Sequence, residues 1–169
     1  MPDSFAEFVT ATSPALHRFA YVLCGNRHLA EDLVQDTLVR IHRHWPRIEN
    51  GNPGGYARTA IVRAHLSWRR RRASTESVQA DPTRGAAPLA GDLASGVALR
   101  AEIWELLATL PRAQRAVLVL RFYEDLDDTR IAEVLGCKPV TVRVHASRAT
   151  AALRARLSDH HPQPQRSAP

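Results

Sequence analysis

Between Cys137 and Leu157 the chain carries five cations, Lys138, Arg143, Arg148, Arg154 and Arg156, and no acid. Such a segment has no acid–base or nucleophilic chemistry of its own. It can hold a polyanion, because each cation that meets a phosphate releases a condensed counterion. The residues ahead of it set its geometry. Ala132 is small where two helices must cross closely, and Gly136 stands where a turn needs a positive φ, which glycine adopts without steric penalty. Val142, six residues on, points a second helix back at the first. That spacing predicts a helix-turn-helix, whose second helix enters the major groove of DNA.

Two further constellations lie upstream. Arg58, Arg63 and the run Arg69, Arg70, Arg71 and Arg72 share a segment with Tyr56 and Trp68. Aromatic rings stack on unpaired bases while arginines track the phosphates, which is what holding a melted strand requires. The plainer account makes Tyr56 and Trp68 core residues. Trp68 is expected inward, and Arg69 to Arg72 are expected on phosphate. Asp32 and Asp36, four apart, share one helix face with Gln35. Taken alone they are better explained as a solvated acidic face near a helix N-terminus, where carboxylates are favourable.

The histidines, His17, His28, His42, His44, His65, His145, His160 and His161, form no His-Glu-x-x-His motif and no Cys-His ligand set. There is no nucleophile elbow, phosphate loop or catalytic carboxylate pair. An enzyme such as a helical metal hydrolase is therefore not expected, and neither is a cofactor. Cys24 and Cys137 lie far apart, and each is expected to fill a small apolar slot.

The elements that position these groups read as helices throughout. Phe5, Phe8 and Val9 mark a first one. Ser13-Pro14 is expected to restart the chain, with serine as N-cap and proline at the first helical position, before Leu16, Phe19, Ala20 and Leu23 carry the apolar face to Gly25-Asn26. Ala30, Leu33, Val34, Leu38, Ile41 and Trp45 form one stripe of a helix expected to end at Pro46. A third helix, from Tyr56 to Arg72, has Ala57, Ala60, Ile61, Ala64 and Trp68 as its expected core side. Leu99, Ile103, Leu106, Leu107 and Leu110 begin another, which stops before Pro111. One more spans Arg112 to Tyr123, ahead of the helix-turn-helix.

Charge divides the chain in the same way. Net charge is +6, and only one of the 23 cations is lysine, so phosphate and base edges would meet planar guanidinium forks. High genomic GC content explains the arginine bias equally well. Residues 1–72 hold 11 basic and 6 acidic side chains, 73–97 hold 1 and 3, and 98–158 hold 10 and 7. The middle stretch, with Pro82, Gly85, Pro88, Gly91 and Gly96, cannot supply a core and reads as a flexible linker. Residues 159–169 read as a disordered tail. The expectation is an all-α chain of two small domains, 1–72 and 98–158, standing apart when free. No apolar run approaches 18 residues and no signal peptide is present, so no membrane insertion is expected, and the chain should be cytoplasmic.

Taken together, these pieces resemble a bacterial sigma factor of the extracytoplasmic-function type, in an actinobacterial subgroup. Ala30-Glu31-Asp32-Leu33-Val34-Gln35-Asp36 is similar to the family's polymerase-binding helix. Pro53 to Arg72 is similar to its promoter-melting and −10-reading element, and Leu110 to Arg115 with the helix-turn-helix to its −35-reading domain. The resemblance implies that Asp32, Gln35 and Asp36 bind core RNA polymerase, whose β′ clamp and β flap are the docking points. It implies that Arg58, Arg63 and Arg69 to Arg72 serve the −10 side, and Lys138, Thr141, Arg143, His145 and Arg148 the −35 side. Promoter DNA and an anti-sigma factor are the remaining implied partners, with polymerase holding the two domains together and the acidic linker lying in its RNA exit path as an RNA mimic or a passive spacer.

The chain departs from the family pattern in three places. Lys138, Pro139 and Val140 replace the usual serine cap and small turn. Losing such a cap costs about 1 kcal/mol, which Pro139 partly offsets by presetting the first helical φ. His145 stands where a fixed cation is usual, and Arg130 where glutamate is. The runner-up, an autonomous helix-turn-helix regulator, would carry a ligand or receiver domain, and residues 1–72 resemble neither.

Overall fold

The computed structural model describes residues 4–73 and 103–160, with side chains at 4–67 and 103–158. The expected linker beyond Ala73 and the tail beyond His160 lie outside the described residues, as do the side chains of Trp68 and Arg69 to Arg72. Among the described residues there is no strand.

Helix α1 spans Phe5–Cys24 without a break at Pro14. The expected restart at Ser13 therefore does not occur. The Ser4 hydroxyl caps the helix instead, accepting from the Glu7 N–H at 3.3 Å. Pro14 removes one backbone donor, but Phe8 before it and Leu16, Phe19, Ala20 and Leu23 after it are buried in a single core. Burial of that unbroken stripe outweighs the missing bond, since each large apolar side chain contributes about 1.5–3 kcal/mol.

Helix α2, Arg27–Ile48, likewise runs past Pro46. Asn26 caps it, with its side chain accepting from the Leu29 N–H at 2.9 Å. Trp45 is fixed by the rings of Phe5 and Phe8, 5.5 and 5.1 Å away between centroids, which holds the last turn in place. Helix α3, Pro53–Ala73, starts earlier than expected. The Asn52 side chain accepts from the Gly55 N–H at 2.8 Å, and Pro53 takes the first helical position, where its lacking N–H is no loss. The inward face of α3 is Ala57, Ile61, Val62 and His65, all fully buried. Ala60 and Ala64 are only half-buried, and Tyr56 is exposed, not core.

The described part of the C-terminal half opens within a helix, α4, seen over residues 103–108. Helix α5, Arg112–Leu118, follows, and continues as a π-helical turn, Val119–Tyr123, in which the Glu124 N–H reaches back to the Val119 carbonyl at 3.3 Å. Then come α6, Asp128–Leu135, and α7, Pro139–His160. Leu110, Leu118 and Ala149, with Leu107, Ala152 and Leu153, make a small local core.

The two halves do not stand apart. Phe19, Leu23, Ile61 and Val62 from the first belong to the same buried cluster as Ala116, Val117, Leu120, Ile131 and Val134 from the second. That cluster also holds Ala132, Val142 and Ala146 of the helix-turn-helix, so its core is continuous with that of the first half, with α3 against α5 and α6.

Candidate polymerase and nucleic-acid interface

The acidic face of α2 is fully presented. Asp32, Gln35 and Asp36 are exposed, and neither carboxylate has an ion-pair partner among the described residues. Both lie beyond the first helical turn, and Asn26 already does the capping, so a helix-start role does not explain them. Glu31, one residue earlier, is different: the Arg27 guanidinium hydrogen-bonds it at 2.9 Å and holds its carboxyl below the usual range. Val39 is 53% exposed one turn along the same face. It escaped attention because a lone valine carries no sequence signal until the face is known to be open.

Arg58 and Arg63 project from α3, the first half-buried and the second exposed, and both meet partners from the second half. Arg58 Nε lies 2.9 Å from Glu124 Oε1 and 2.8 Å from Oε2. Arg63 donates to the backbone carbonyls of Val134 (2.9 Å) and Glu133 (2.8 Å), at the end of α6. The helix-turn-helix half thus faces the same side of α3 that carries these arginines.

A third arginine crosses the boundary in the opposite direction. Arg115 on α5 is 2% exposed. Its Nη1 donates to the Leu23 carbonyl of α1 at 3.5 Å, and its Nη2 to Leu110 (3.2 Å) and Ala108 (3.4 Å). Its guanidinium carbon sits 4.9 Å from the Trp104 ring centroid. Trp104 lies over Gly25, the left-handed residue (φ 67°) that ends α1. Neither Arg115 nor Trp104 was marked by spacing. The available signal was a cation set directly before the apolar run that begins at Ala116.

The helix-turn-helix forms as its spacing predicts. The Asp127 side chain caps α6, accepting from the Arg130 N–H at 2.8 Å. Gly136 has φ 66°, while Ala132 and Val142 are buried at the crossing. The Lys138 carbonyl accepts the first bonds of α7 from Thr141 (2.9 Å) and Val142 (3.3 Å), with Pro139 at the first helical position. Lys138, Arg143 and Arg148 are exposed, whereas Thr141 and His145 are half-buried. Val140 and Val144, 53% and 41% exposed, stand between the cations. A groove of about 470 Å³ beside α7 is lined by Arg143, Ser147, Thr150 and Arg154, with Arg121 and its ion-pair partner Asp128. No group of three His, Cys, Asp or Glu could hold a metal among the described residues, and no described helix is long and apolar enough to cross a membrane.

An exposed acidic face, an arginine-bearing helix and a helix-turn-helix, in this order on an all-helical frame, define the class of a promoter-recognition subunit. The profile of sigma-70 region 2 matches residues 8–75, and that of sigma-70 region 4 matches residues 100–153. The chain is 32% identical over 169 residues to the extracytoplasmic-function RNA polymerase sigma factor SigE of Mycolicibacterium smegmatis, covering 98% of this chain and 66% of that one, just short of two thirds of its length. It is 31% identical over 158 residues to the RNA polymerase sigma-E factor of Streptomyces coelicolor, covering 90% and 85%. Among solved structures, the sigma factor RpoE of Bartonella quintana, in complex with the anti-sigma factor NepR, superposes with a TM-score of 0.72 at 24% identity, over 91% of this chain and 96% of that one. The chain belongs to the extracytoplasmic-function family of RNA polymerase sigma factors. It binds core RNA polymerase and promoter DNA and directs transcription initiation, and the reading as an autonomous regulator is not favoured.

Proposed function

We propose that this sigma factor works through three separate surfaces. The α2 face of Asp32, Gln35, Asp36 and Val39 docks on the β′ clamp. The α3 arginines, Arg58 and Arg63 with the run Arg69 to Arg72, hold the −10 strand. The exposed face of α7, with Lys138, Arg143 and Arg148, reads the −35 duplex while its half touches the β flap. Thr141 and His145 flank that reading face, and Val140 and Val144 are placed to meet thymine methyl groups between the arginine contacts. The two working units are 1–72 and 98–158, joined by the acidic stretch 73–97. The chain acts as a specificity subunit in the cytoplasm and catalyses nothing itself. An anti-sigma protein is a further partner on this reading, as the Bartonella quintana sigma factor of like fold was solved with one.

The observation that carries the docking assignment is an exposed carboxylate pair with neither a salt-bridge partner nor a capping task. Core polymerase pull-down with Asp32→Ala/Asp36→Ala tests it. Core binding is expected to fall by at least an order of magnitude with helicity unchanged, since close charge pairs at an interface are each worth about 1.5 kcal/mol or more. A double variant that binds core as the parent does would refute the assignment.

A further inference from the structure

The outer face of α2 carries more than its carboxylates. Asp32, Asp36, Val39, Arg43 and Arg47 recur at spacings of three and four and form one exposed stripe, with Arg40 at its edge. The stripe changes sign midway. Residues 29–38 hold acids and no lysine or arginine, whereas residues 39–48 hold Arg40, Arg43 and Arg47 and no acid. None of these charged groups on the stripe has an ion-pair partner among the described residues. Helix α2 packs against α1 and α3 through its opposite side, where Ala30, Leu33, Val34, Ile41 and Trp45 are buried, so the stripe faces outward along its whole length. From Asp32 to Arg47 it runs about 22 Å.

The order of charge is symmetric about a point between Val39 and Arg40. Asp36 and Arg43 stand equally far on either side of it, and so do Asp32 and Arg47. An antiparallel copy of the same helix therefore sets each carboxylate opposite a guanidinium: Asp32 meets the partner's Arg47, Asp36 meets the partner's Arg43, and the two-fold axis repeats both pairs. Val39, 53% exposed, falls at the centre against the apolar stem of the partner's Arg40. Packed helices lie about 8–10 Å apart, a gap that aspartate and arginine side chains span together. DNA phosphates suit the basic half of the stripe and are repelled by the acidic half, and a wholly basic partner suits the reverse. A second copy satisfies both halves at once.

We propose that the chain self-associates through α2 as an antiparallel two-fold pair, and that this pair covers the face that docks on core polymerase. The masking rests on the assignment of Asp32, Gln35 and Asp36 to core polymerase; the pairing itself does not. One helix face is smaller than the surface a stable dimer buries, and exposed ion pairs are individually weak. The pair therefore forms at high protein concentration and low salt and dissolves as salt is raised. Core polymerase and a second copy compete for one surface, so sigma factor in excess of core is stored in a form that cannot dock.

Sedimentation equilibrium of the full chain without polymerase tests the pairing. The parent is expected to associate at low ionic strength and to be monomeric in about 1 M salt, where the Debye length is only about 3 Å. Asp32→Arg/Asp36→Arg makes the paired positions wholly basic, and Arg43→Asp/Arg47→Asp makes them wholly acidic. Each variant alone should be monomeric, since every attractive pair becomes a repulsive one. Mixed in equal amounts, the two restore every pair and should associate at least about tenfold more tightly than either does alone. Both variants keep a positive net charge, so overall attraction between them cannot produce that gain. Should either lose helicity by circular dichroism, Asp36→Arg and Arg43→Asp, which exchange the central pair alone, decide in the same way. A parent that stays monomeric, reversals that leave association intact, or a mixture no more associated than its parts overturns the pairing. Stoichiometry with core polymerase then tests the masking. At concentrations where it pairs, the parent should load one chain per core. Two chains per core would leave the pairing standing but overturn the masking, and with it the docking role of the Asp32 and Asp36 face.

Discussion

Gly25 and Gly136 adopt nearly the same left-handed φ, 67° and 66°, for different surroundings. A Cβ on Gly136 would meet nothing within 4 Å, whereas one on Gly25 would fall 1.0 Å from the Trp104 ring. Gly136→Ala should therefore cost only the conformational strain, about 1 kcal/mol. Gly25→Ala must in addition push Trp104 off its seat and should cost distinctly more. Urea denaturation of the two variants settles it, and equal losses would mean that Trp104 does not cover Gly25 in solution. Cys24, beside this contact, is fully buried, and burial pushes its thiol pKa up. The neutral thiol is thereby favoured in the folded chain, so raising the pH should not readily expose a thiolate while the fold holds. Iodoacetamide at mildly alkaline pH should label the half-buried Cys137 well before Cys24. Faster labelling of Cys24 in Trp104→Ala would report loss of that cover.

At the scale of the element, helices here are made by their caps and their buried stripes more than by their prolines. Pro14 and Pro46 sit inside α1 and α2, while Pro53 and Pro139 begin α3 and α7. Proline is an ambiguous mark, since it suits a helix start and is tolerated inside only where neighbours are firmly packed. Caps read more cleanly. Asp127→Ala should destabilise α6 by about 1 kcal/mol, and thermal melts of the variant should show it, with −35 duplex binding falling as the turn loosens. On α7, Arg148→Ala should weaken duplex binding and lower the slope of log K against log salt by about 1, as expected for one lost phosphate contact. An unchanged slope would remove Arg148 from the phosphate-contact set.

At the scale of the molecule, the two sigma regions share one buried cluster and the contacts of four arginines, Arg58, Arg63, Arg112 and Arg115, the third donating to the His65 carbonyl at 3.4 Å. A fragment of residues 98–158 keeps the small core of Leu110, Leu118 and Ala149 but exposes Ala116, Val117, Leu120 and Ile131. It is expected to remain helical yet to melt at lower temperature than the intact chain, and to bind an apolar dye that the intact chain does not. A fragment as stable as the whole would show that the shared core contributes little.

Most of the helical frame was legible in the chain, because a buried stripe leaves a 3.6-residue period whatever it packs against. The helix-turn-helix was legible to the residue, since Ala132, Gly136 and Val142 answer local demands: a close crossing, a positive φ, a return contact. The acidic α2 face and the basic α7 face were legible because surface charge is written directly in residue type. What only the tertiary structure decided is which apolar and charged groups meet across the boundary. Arg58, Arg63 and Arg115 are alike as letters. One is paired with a carboxylate, one caps a helix end, and one is buried beneath a tryptophan. Their hydrogen-bond partners across the boundary lie 66 to 92 residues away in the chain. No local period or propensity encodes a contact at that separation, because it is set by how whole faces fit when their shared core leaves water.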